Sequence, residues 1–267
     1  MFPGADADPA DAAYVLVGAP LDASTSFEPG ARFGPDRVRR YAAAFDDYDH
    51  HTDSRFTDLA VADRGDFGPT ADTDEYLTFL EGTLRDARRD GAVPLVVGGE
   101  HTVTVAGVRA VDPDVFVCLD AHLDLRESYA GDPLSHATVT RHALDVADRA
   151  VVVGARTGSE AEWERAGEAD VTVVAPENAG DWTPGFDADE SVYLSVDIDG
   201  FDPGYAPGTG TKEPFGLTPR EGRNLVRRVA PHAEGFDVVE VNDRDDGQAA
   251  VLAAKLLRRF VYDHADA

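Results

Sequence analysis

The stretch CLDAHLDLR, residues 118–126, places Asp120, His122 and Asp124 at every second position along the chain. It directly follows VDPDVFV, a segment that ends in three apolar residues. Side chains two residues apart on a strand lie on the same face of the sheet. We therefore predict a buried strand that ends on two carboxylates and one imidazole, all pointing the same way.

Similar apolar runs recur along the chain and alternate with helical patterns. The runs are rich in valine and do not alternate strictly with polar residues, which is typical of strands covered on both faces. The predicted strands are 13–20, 94–100, 115–121, 150–155, 171–176, 191–199 and 236–242. The predicted helices are 36–45, 73–90, 101–110, 135–147, 158–168, 218–230 and 247–262. Repeated strand–helix units predict an α/β fold with three layers, α/β/α, around a mainly parallel central sheet.

No linker, repeat or low-complexity tract divides the sequence, so we predict one domain over residues 1–267. The acidic segments 1–12 and 263–267 are expected to fray. A single cysteine, Cys118, excludes an intramolecular disulfide. No apolar run approaches the ~20 residues that span a bilayer, and the first residues lack a signal-peptide pattern. These features predict a cytoplasmic protein.

The sequence is strongly acidic, with 51 Asp and Glu residues against 24 Lys and Arg residues and a formal net charge of -27. Such a surface repels nucleic acid and anionic membranes, so we expect neither as a partner. Disorder is the other interpretation of so high a charge, but an apolar content of 43% and regular strand patterns disfavour it. Because strong salt screens this self-repulsion, the composition predicts a halophilic protein.

Four polar clusters follow predicted strands, at the edge where parallel sheets bind their ligands. They are GGEH with His101, DAHLD at 120–124, SVDIDGFDP with Asp197, Asp199 and Asp202, and VVEVND with Glu240. A lone DxD is usually a solvated loop or a cap, and the glycines of GGEH alone can make a turn. All the clusters together, each at a strand end, favour a metal site instead.

The count of candidate ligands indicates two metal ions. Buried carboxylates this close to one another need compensating positive charge, and four of them balance two divalent cations. The absence of thiolate among the ligands favours Mn²⁺ over Zn²⁺. Such paired ions share an activated water. The six candidate ligands are His101, Asp120, His122, Asp124, Asp197 and Asp199.

These motifs resemble those of the ureohydrolases, the family of arginase, agmatinase and their relatives. The resemblance rests on GGEH, DAHLD and SVDIDGFDPGYAPGTGT, and APLDASTSFEPGARFGP (19–35) is similar to the N-terminal signature of the agmatinase branch. It implies an arginase-like fold, a binuclear manganese centre and hydrolysis of a guanidino group to urea and an amine. It also implies a homo-oligomer, a trimer or a hexamer.

The resemblance implies a role for each site residue. His101, Asp120, Asp124 and Asp197 would hold one ion, and Asp120, His122, Asp197 and Asp199 the other. His136, in DPLSHAT, matches the catalytic histidine, our candidate proton donor or shuttle. Glu240 matches the glutamate that grips the guanidinium, and Asp124 would hydrogen-bond the nucleophile and pass its proton on. From the residues alone, His136 and Glu240 are equally consistent with ordinary helix-start and strand-end positions.

The predicted substrate is a small cationic guanidine, with agmatine favoured. The loop RESYAGDPL, residues 126–134, is short and acidic and lacks asparagine, which suits a substrate with a distal cation. Hydrolysis of agmatine gives putrescine and urea, a step in polyamine biosynthesis. Aminopropylagmatine, guanidinobutyrate, formiminoglutamate and arginine are alternatives; the last two need a partner for a carboxylate, and Arg126 is the obvious candidate.

Two alternative hypotheses from other functional classes stay open. A single-zinc deacetylase of the same broad fold would not need His101 and Asp199, and a non-catalytic metal-binding protein would not need His136 and Glu240. The chain also departs from the family pattern near the predicted site. Lys212 and Phe215 stand where proline and glycine are usual, and Asp243 stands where proline is common.

Overall fold

Ten strands lie in the part of the chain that the computed structural model describes, residues 1–68, 70 and 72–267. They are β1 (Tyr14–Ala19), β2 (Tyr48–Asp49), β3 (Ser54–Arg55), β4 (Val61–Asp66), β5 (Val93–Gly98), β6 (Val115–Leu119), β7 (Arg149–Val153), β8 (Val171–Val174), β9 (Val192–Asp197) and β10 (Ala233–Val239). The short strands β2 and β3 form an antiparallel hairpin. The other eight form one sheet in the order β4-β1-β5-β10-β9-β6-β7-β8.

Each pair of neighbouring strands in the eight-stranded sheet is parallel. The predicted mainly parallel sheet is therefore confirmed, and all seven predicted strands are present. The sequence patterns missed β4. This strand lies at the edge of the sheet, and only its first two residues are fully buried. Since its outer half is polar and partly exposed, it lacks the apolar run that marks a central strand.

Helices cover both faces of the sheet. They are α1 (Gly34–Ala42), α2 (Thr73–Arg89), α3 (Thr104–Val111), α4 (Val139–Ala143), α5 (Glu160–Arg165), α6 (Pro176–Ala179), α7 (Pro219–Val229) and α8 (Gln248–Ala265). On one face α1, α7 and α8 pack against the sheet, as in the contact cluster of Leu225 and Leu257 with Leu194. On the other, α2 and α3 place Leu80 and Val108 with Phe116. The three predicted layers are therefore present.

Both chain ends contact the rest of the fold. Phe2 is buried and its ring lies 5.7 Å from that of Phe56. The Ala5 carbonyl accepts a hydrogen bond from the Asp63 amide at 3.0 Å. At the other end α8 continues to Ala265, and His264 Nδ1 lies 2.8 Å from the hydroxyl of Tyr14. The expectation that 1–12 and 263–267 fray stays a prediction.

The sheet order brings the four polar clusters side by side. The strands β5, β10, β9 and β6 are consecutive neighbours at the centre of the sheet, and one cluster follows each of them. All four strands run in the same direction, so their carboxyl ends meet at one edge. No described helix has both the length and the apolarity needed to cross a membrane.

Candidate active site

His101 lies at the centre of the first group of predicted ligands. Its Nδ1 atom is 2.8 Å from Asp124 Oδ2, 3.2 Å from Asp120 Oδ2 and 3.5 Å from Asp197 Oδ2. All four side chains are nearly inaccessible to solvent. One ring nitrogen cannot donate to three carboxylates at once, because it carries a single hydrogen. The four side chains therefore converge on a point that suits a shared cation.

His122 and Asp199 form the second group. His122 Nδ1 lies 3.0 Å from Asp199 Oδ2 and 3.6 Å from Asp120 Oδ1. Asp120 thus touches both imidazoles with different oxygens, as a bridging ligand would. Asp197 joins the groups from the other side, because its Oδ1 accepts from the Asp199 amide at 2.8 Å while its Oδ2 faces His101. The structure therefore brings all six predicted ligands together.

The backbone around these side chains is unusually constrained. A Cβ atom on Gly99 would lie 1.9 Å from the carbonyl oxygen of Leu21, so only glycine fits at this close approach. Asp124 and Glu240 have positive φ angles, 51° and 62°, which side-chain-bearing residues rarely adopt. Such strain is typical of functional sites held by their surroundings. The glycines of GGEH therefore do more than form a turn.

The buried carboxylates repel one another. Burial and the neighbouring charge of Asp120 raise the pKa of Asp124 to about 7. Burial, with the charges of Asp199 and Asp120, raises the pKa of Asp197 well above its ordinary value. Burial alone would lower the pKa of His122, but Asp199 and Asp120 raise it well above its usual range. Without a cation, this cluster therefore retains protons that divalent ions would displace.

The tautomer of His101 fits metal ligation through Nδ1. The Ser195 hydroxyl donates to Asp237 Oδ1 at 2.6 Å, so its oxygen accepts from His101 Nε2, 3.3 Å away. Asp237 also accepts from the Tyr193 hydroxyl at 2.8 Å. In a neutral His101 with its hydrogen on Nε2, the Nδ1 lone pair would point at the carboxylates. Outer partners that orient a ligating histidine in this way are common in metal sites.

A different grouping, of His101, Cys118 and Asp120, is also compact enough for a metal. The Cys118 Sγ atom lies 3.7 Å from His101 Nε2 and from Asp120 Oδ2. Burial raises the pKa of this thiol well above its ordinary value. The sulfur approaches His101 Nε2, the nitrogen that is already hydrogen-bonded to Ser195. The ring nitrogen of His101 that faces the other predicted ligands is therefore Nδ1.

His136 and Glu240 line the cavity above this cluster. The cavity has a volume of about 310 Å³, and its wall includes five of the six predicted ligands. Glu240 Oε1 accepts from the His101 amide at 2.7 Å. Burial, together with the charges of Glu100 and Asp199, raises the pKa of Glu240 to about 8. Burial lowers the pKa of His136, and the charge of Glu100 partly opposes the effect.

Several functional candidates escaped the sequence patterns. Ser195 and Asp237 are polar residues inside the apolar runs of β9 and β10, which is the signal that could have identified them. Arg156 follows β7 and donates to backbone carbonyls of three loops, including Asp199 at 2.9 Å and Glu213 at 2.6 Å. It thereby ties the segment that carries Asp199 to the loop around Phe215. Ser24 contacts His136 across 112 residues, and no local pattern announces such a contact.

The loops at the mouth of the cavity carry the remaining predicted residues. Arg126 pairs with Glu162 through Nε and Oε2 at 3.2 Å. Lys212 forms an ion pair with Glu28 and donates to the Thr209 carbonyl at 2.9 Å. Phe215 is 85% exposed and has a φ angle of 68°. Asp202 lies apart from the six predicted ligands and accepts from the amides of Gly204 and Phe215.

A larger cavity, of about 640 Å³, lies along α8 and the β2–β3 hairpin. None of the six predicted ligands lines it, and neither does His136 or Glu240. Size alone therefore does not locate the chemistry of this protein.

Comparison with known proteins agrees with the motifs. The family model described as "Arginase family" matches residues 12–262. Agmatinase from Pyrococcus horikoshii is 34% identical over 260 residues, which cover 92% of this chain and 90% of that protein. N(1)-aminopropylagmatine ureohydrolase from Thermococcus kodakarensis is 36% identical over 264 residues, covering 94% of this chain and 90% of that protein.

Solved structures share the fold. The crystal structure of agmatine ureohydrolase of Thermoplasma volcanium matches this chain with a TM-score of 0.94 at 33% identity. The match covers 99% of this chain and 94% of that one.

Proposed function

Because the chain belongs to the arginase family, whose members hydrolyse C–N bonds, we propose that it hydrolyses agmatine to putrescine and urea with two Mn²⁺ ions per chain. The observation that carries the proposal is the approach of His101 Nδ1 to three carboxylates within 3.5 Å. An oxygen-rich set with two imidazoles and no thiolate suits manganese.

Each ion would have its own ligand group and share two carboxylates. His101 and Asp124 would hold one ion, His122 and Asp199 the other, and Asp120 and Asp197 would contribute to both. Bound in this way, a pair of divalent cations supplies a nucleophilic water at neutral pH. Asp124, which lies in the cavity wall, would hydrogen-bond that water and accept its proton.

Glu240 would position the guanidinium. One of its oxygens is fixed by the His101 amide, so the side chain is held with the other oxygen available to the cavity. Carboxylate and guanidinium form charge-assisted hydrogen bonds of fixed geometry. A bound cation also favours the ionised form of a carboxyl group whose pKa burial has raised. This grip would present the substrate carbon to the cluster of predicted ligands.

His136 would protonate the amine that leaves. A neutral amine is a far better leaving group than its anion, and a positioned imidazole supplies the proton. The cavity wall also contains Tyr129, whose ring packs against His136 with 5.2 Å between the ring centres.

The substrate choice depends on the outer part of the cavity. Among the residues described there, Arg126 is the lone Lys or Arg in the wall, and Glu162 already pairs with it. A substrate with a distal carboxylate, such as arginine, therefore finds no free cationic partner. A second candidate function is hydrolysis of aminopropylagmatine, because the Thermococcus relative with 36% identity carries that name.

The test is a substrate panel scored for urea, with Mn²⁺ added and metal content measured on the same sample. We expect urea from agmatine with a kcat/KM above that for guanidinobutyrate and arginine. A higher kcat/KM with aminopropylagmatine would select the second candidate. Two bound ions without urea from any guanidine would indicate a non-catalytic metal-binding protein, and one zinc with deacetylation would indicate the deacetylase reading.

A further inference from the structure

A buried carboxylate next to the cluster points away from the predicted metal ligands. Glu100 is fully buried, yet its oxygens accept from the loop that follows β1. Oε2 accepts from the amides of Ala23 and Ser24, both at 2.7 Å. Oε1 accepts from the hydroxyls of Ser24 at 2.9 Å and Thr102 at 2.7 Å. Glu100 therefore clamps this loop against the turn that carries His101.

The Ser24 hydroxyl connects Glu100 to His136. Its oxygen lies 3.0 Å from His136 Nδ1 and accepts from the His136 amide, also at 3.0 Å. A hydroxyl has one hydrogen and two lone pairs. The Glu100 carboxylate can only accept and the amide can only donate, so the hydroxyl hydrogen goes to Glu100. The remaining lone pair then accepts from His136 Nδ1, which must carry a hydrogen.

We propose that Ser24, backed by Glu100, is a positioning residue that holds His136 in the Nδ1–H tautomer and so presents Nε2 to the substrate. This inference rests on the proposed role of His136. Protonated His136 gives its Nε2 hydrogen to the leaving nitrogen as the C–N bond breaks, and that nitrogen keeps the bonding electron pair. Nδ1–H stays on Ser24 throughout, so the imidazole returns to the same neutral tautomer.

The surroundings of His136 explain why such support is needed. Burial and the imidazoles of His101 and His122 disfavour its charged form, whereas Glu100 and Asp199 favour it. The ring of Tyr129 also packs against His136, with 5.2 Å between the ring centres and 64° between the ring planes. Among the residues that the structure describes, Ser24 is the hydrogen-bonding partner that distinguishes the two ring nitrogens of His136.

Kinetics of variants in the full chain with Mn²⁺ test the proposal. We expect Ser24→Ala to lower kcat about 10- to 100-fold, part of the 10²–10⁴-fold that a general acid supplies, with KM and manganese content nearly unchanged. An unpartnered Nδ1–H disfavours the imidazolium, so the alkaline limb of the kcat profile should move to lower pH. Ser24→Thr keeps a hydroxyl and should restore most of kcat.

Ser54→Ala is the matched control, because it also removes a serine hydroxyl, one that contacts the Thr52 hydroxyl at 2.7 Å in the β2–β3 hairpin and does not line the cavity. It should leave the pH limb in place. The positioning role would be overturned if Ser24→Ala lowered kcat equally at every pH, with no shift of the alkaline limb. A change confined to KM or to metal content would also overturn it.

A spectroscopic measurement separates this inference from the proposed reaction. Long-range nitrogen-15 spectra of the histidine-labelled chain, with diamagnetic Zn²⁺ in place of Mn²⁺, report which nitrogen of His136 carries hydrogen. We expect Nδ1–H in the parent and loss of that preference in Ser24→Ala. An Nε2–H tautomer in the parent would refute the inference. The expected tautomer in a protein that releases no urea would refute only the proposed function.

Discussion

Replacement of Glu240 by glutamine tests the proposed grip on the guanidinium. The His101 amide donates to Glu240 Oε1 at 2.7 Å, and in Glu240→Gln it can bond only to the amide oxygen. The new NH₂ group must therefore face the cavity. There it would meet the N–H groups of the guanidinium, so one charge-assisted hydrogen bond is lost.

The magnitude follows from that single lost bond. A hydrogen bond to a charged group contributes about 1.5–3 kcal/mol, and every 1.4 kcal/mol corresponds to about a factor of ten. We therefore expect kcat/KM for agmatine to fall about 10- to 150-fold, measured as urea release in the steady state. Manganese content should not change, because Glu240 is outside the six-ligand set.

The pH dependence of stability provides a check that the Glu240→Gln variant folds normally. The pKa of Glu240 rises from 4.5 to about 8 on folding, so between these values the folded chain holds a proton that the unfolded chain has released. Stability of the metal-free parent therefore decreases as pH rises through this window. Glu240→Gln has no carboxyl group to titrate at this position, so its free energy of unfolding should fall less than that of the parent between pH 4.5 and about 8.

The matched control is Glu28→Gln, which removes the same charge at the outer loop where Glu28 pairs with Lys212. It should change kcat/KM less than about twofold, as is usual for an exposed ion pair. An unchanged kcat/KM in Glu240→Gln, or an activity loss that merely tracks lost manganese, would refute the proposed role of Glu240.

Three further predictions concern protons, backbone strain and salt. Titration of the metal-free chain with Mn²⁺ at pH 6–7 should release protons, because the raised pKa of Asp124 keeps its carboxyl group protonated up to about pH 7. Asp124→Asn should release fewer protons than the parent. Equal release from the parent and the variant would contradict this assignment. Phe215→Gly should raise the melting temperature by about 1–4 °C, because a left-handed conformation costs a phenylalanine about 1–2 kcal/mol and costs glycine little. The greater conformational entropy of glycine in the unfolded chain offsets part of this gain. A lower melting temperature in calorimetry would mean that the exposed ring makes a stabilising contact. The melting temperature should also rise as KCl increases from about 0.1 to 1 M, where the Debye length falls from about 10 to 3 Å, because the net charge is -27; a decrease would contradict the halophilic reading.

The sequence predicted those features that depend on short-range patterns. Valine-rich runs identified seven of the eight strands of the sheet, and the missed β4 has too few buried residues to stand out. The spacing of Asp120, His122 and Asp124 predicted that they share one strand face, but β6 ends at Leu119 and Asp124 has a φ angle of 51°, so a loop after the strand brings them together. The position of a strand end is a local property that one sequence shows, whereas the path of the loop beyond it is not.

Features that depend on pairing between distant segments were not predictable. Nothing local indicates that β10 and β9 insert between β5 and β6, yet this order brings Glu240 beside His101. Ser24 reaches His136, and Arg156 reaches the Asp199 loop, through contacts that only the packed chain creates. The predicted oligomer and the cytoplasmic location stay predictions.

Six side chains that follow adjacent strands would together hold two divalent ions. Equilibrium dialysis of the full chain against Mn²⁺, followed by elemental analysis, measures this stoichiometry directly. We expect two ions per chain, and about one after either His101→Asn or His122→Asn. Saturation at one ion or none in the parent chain would contradict the account.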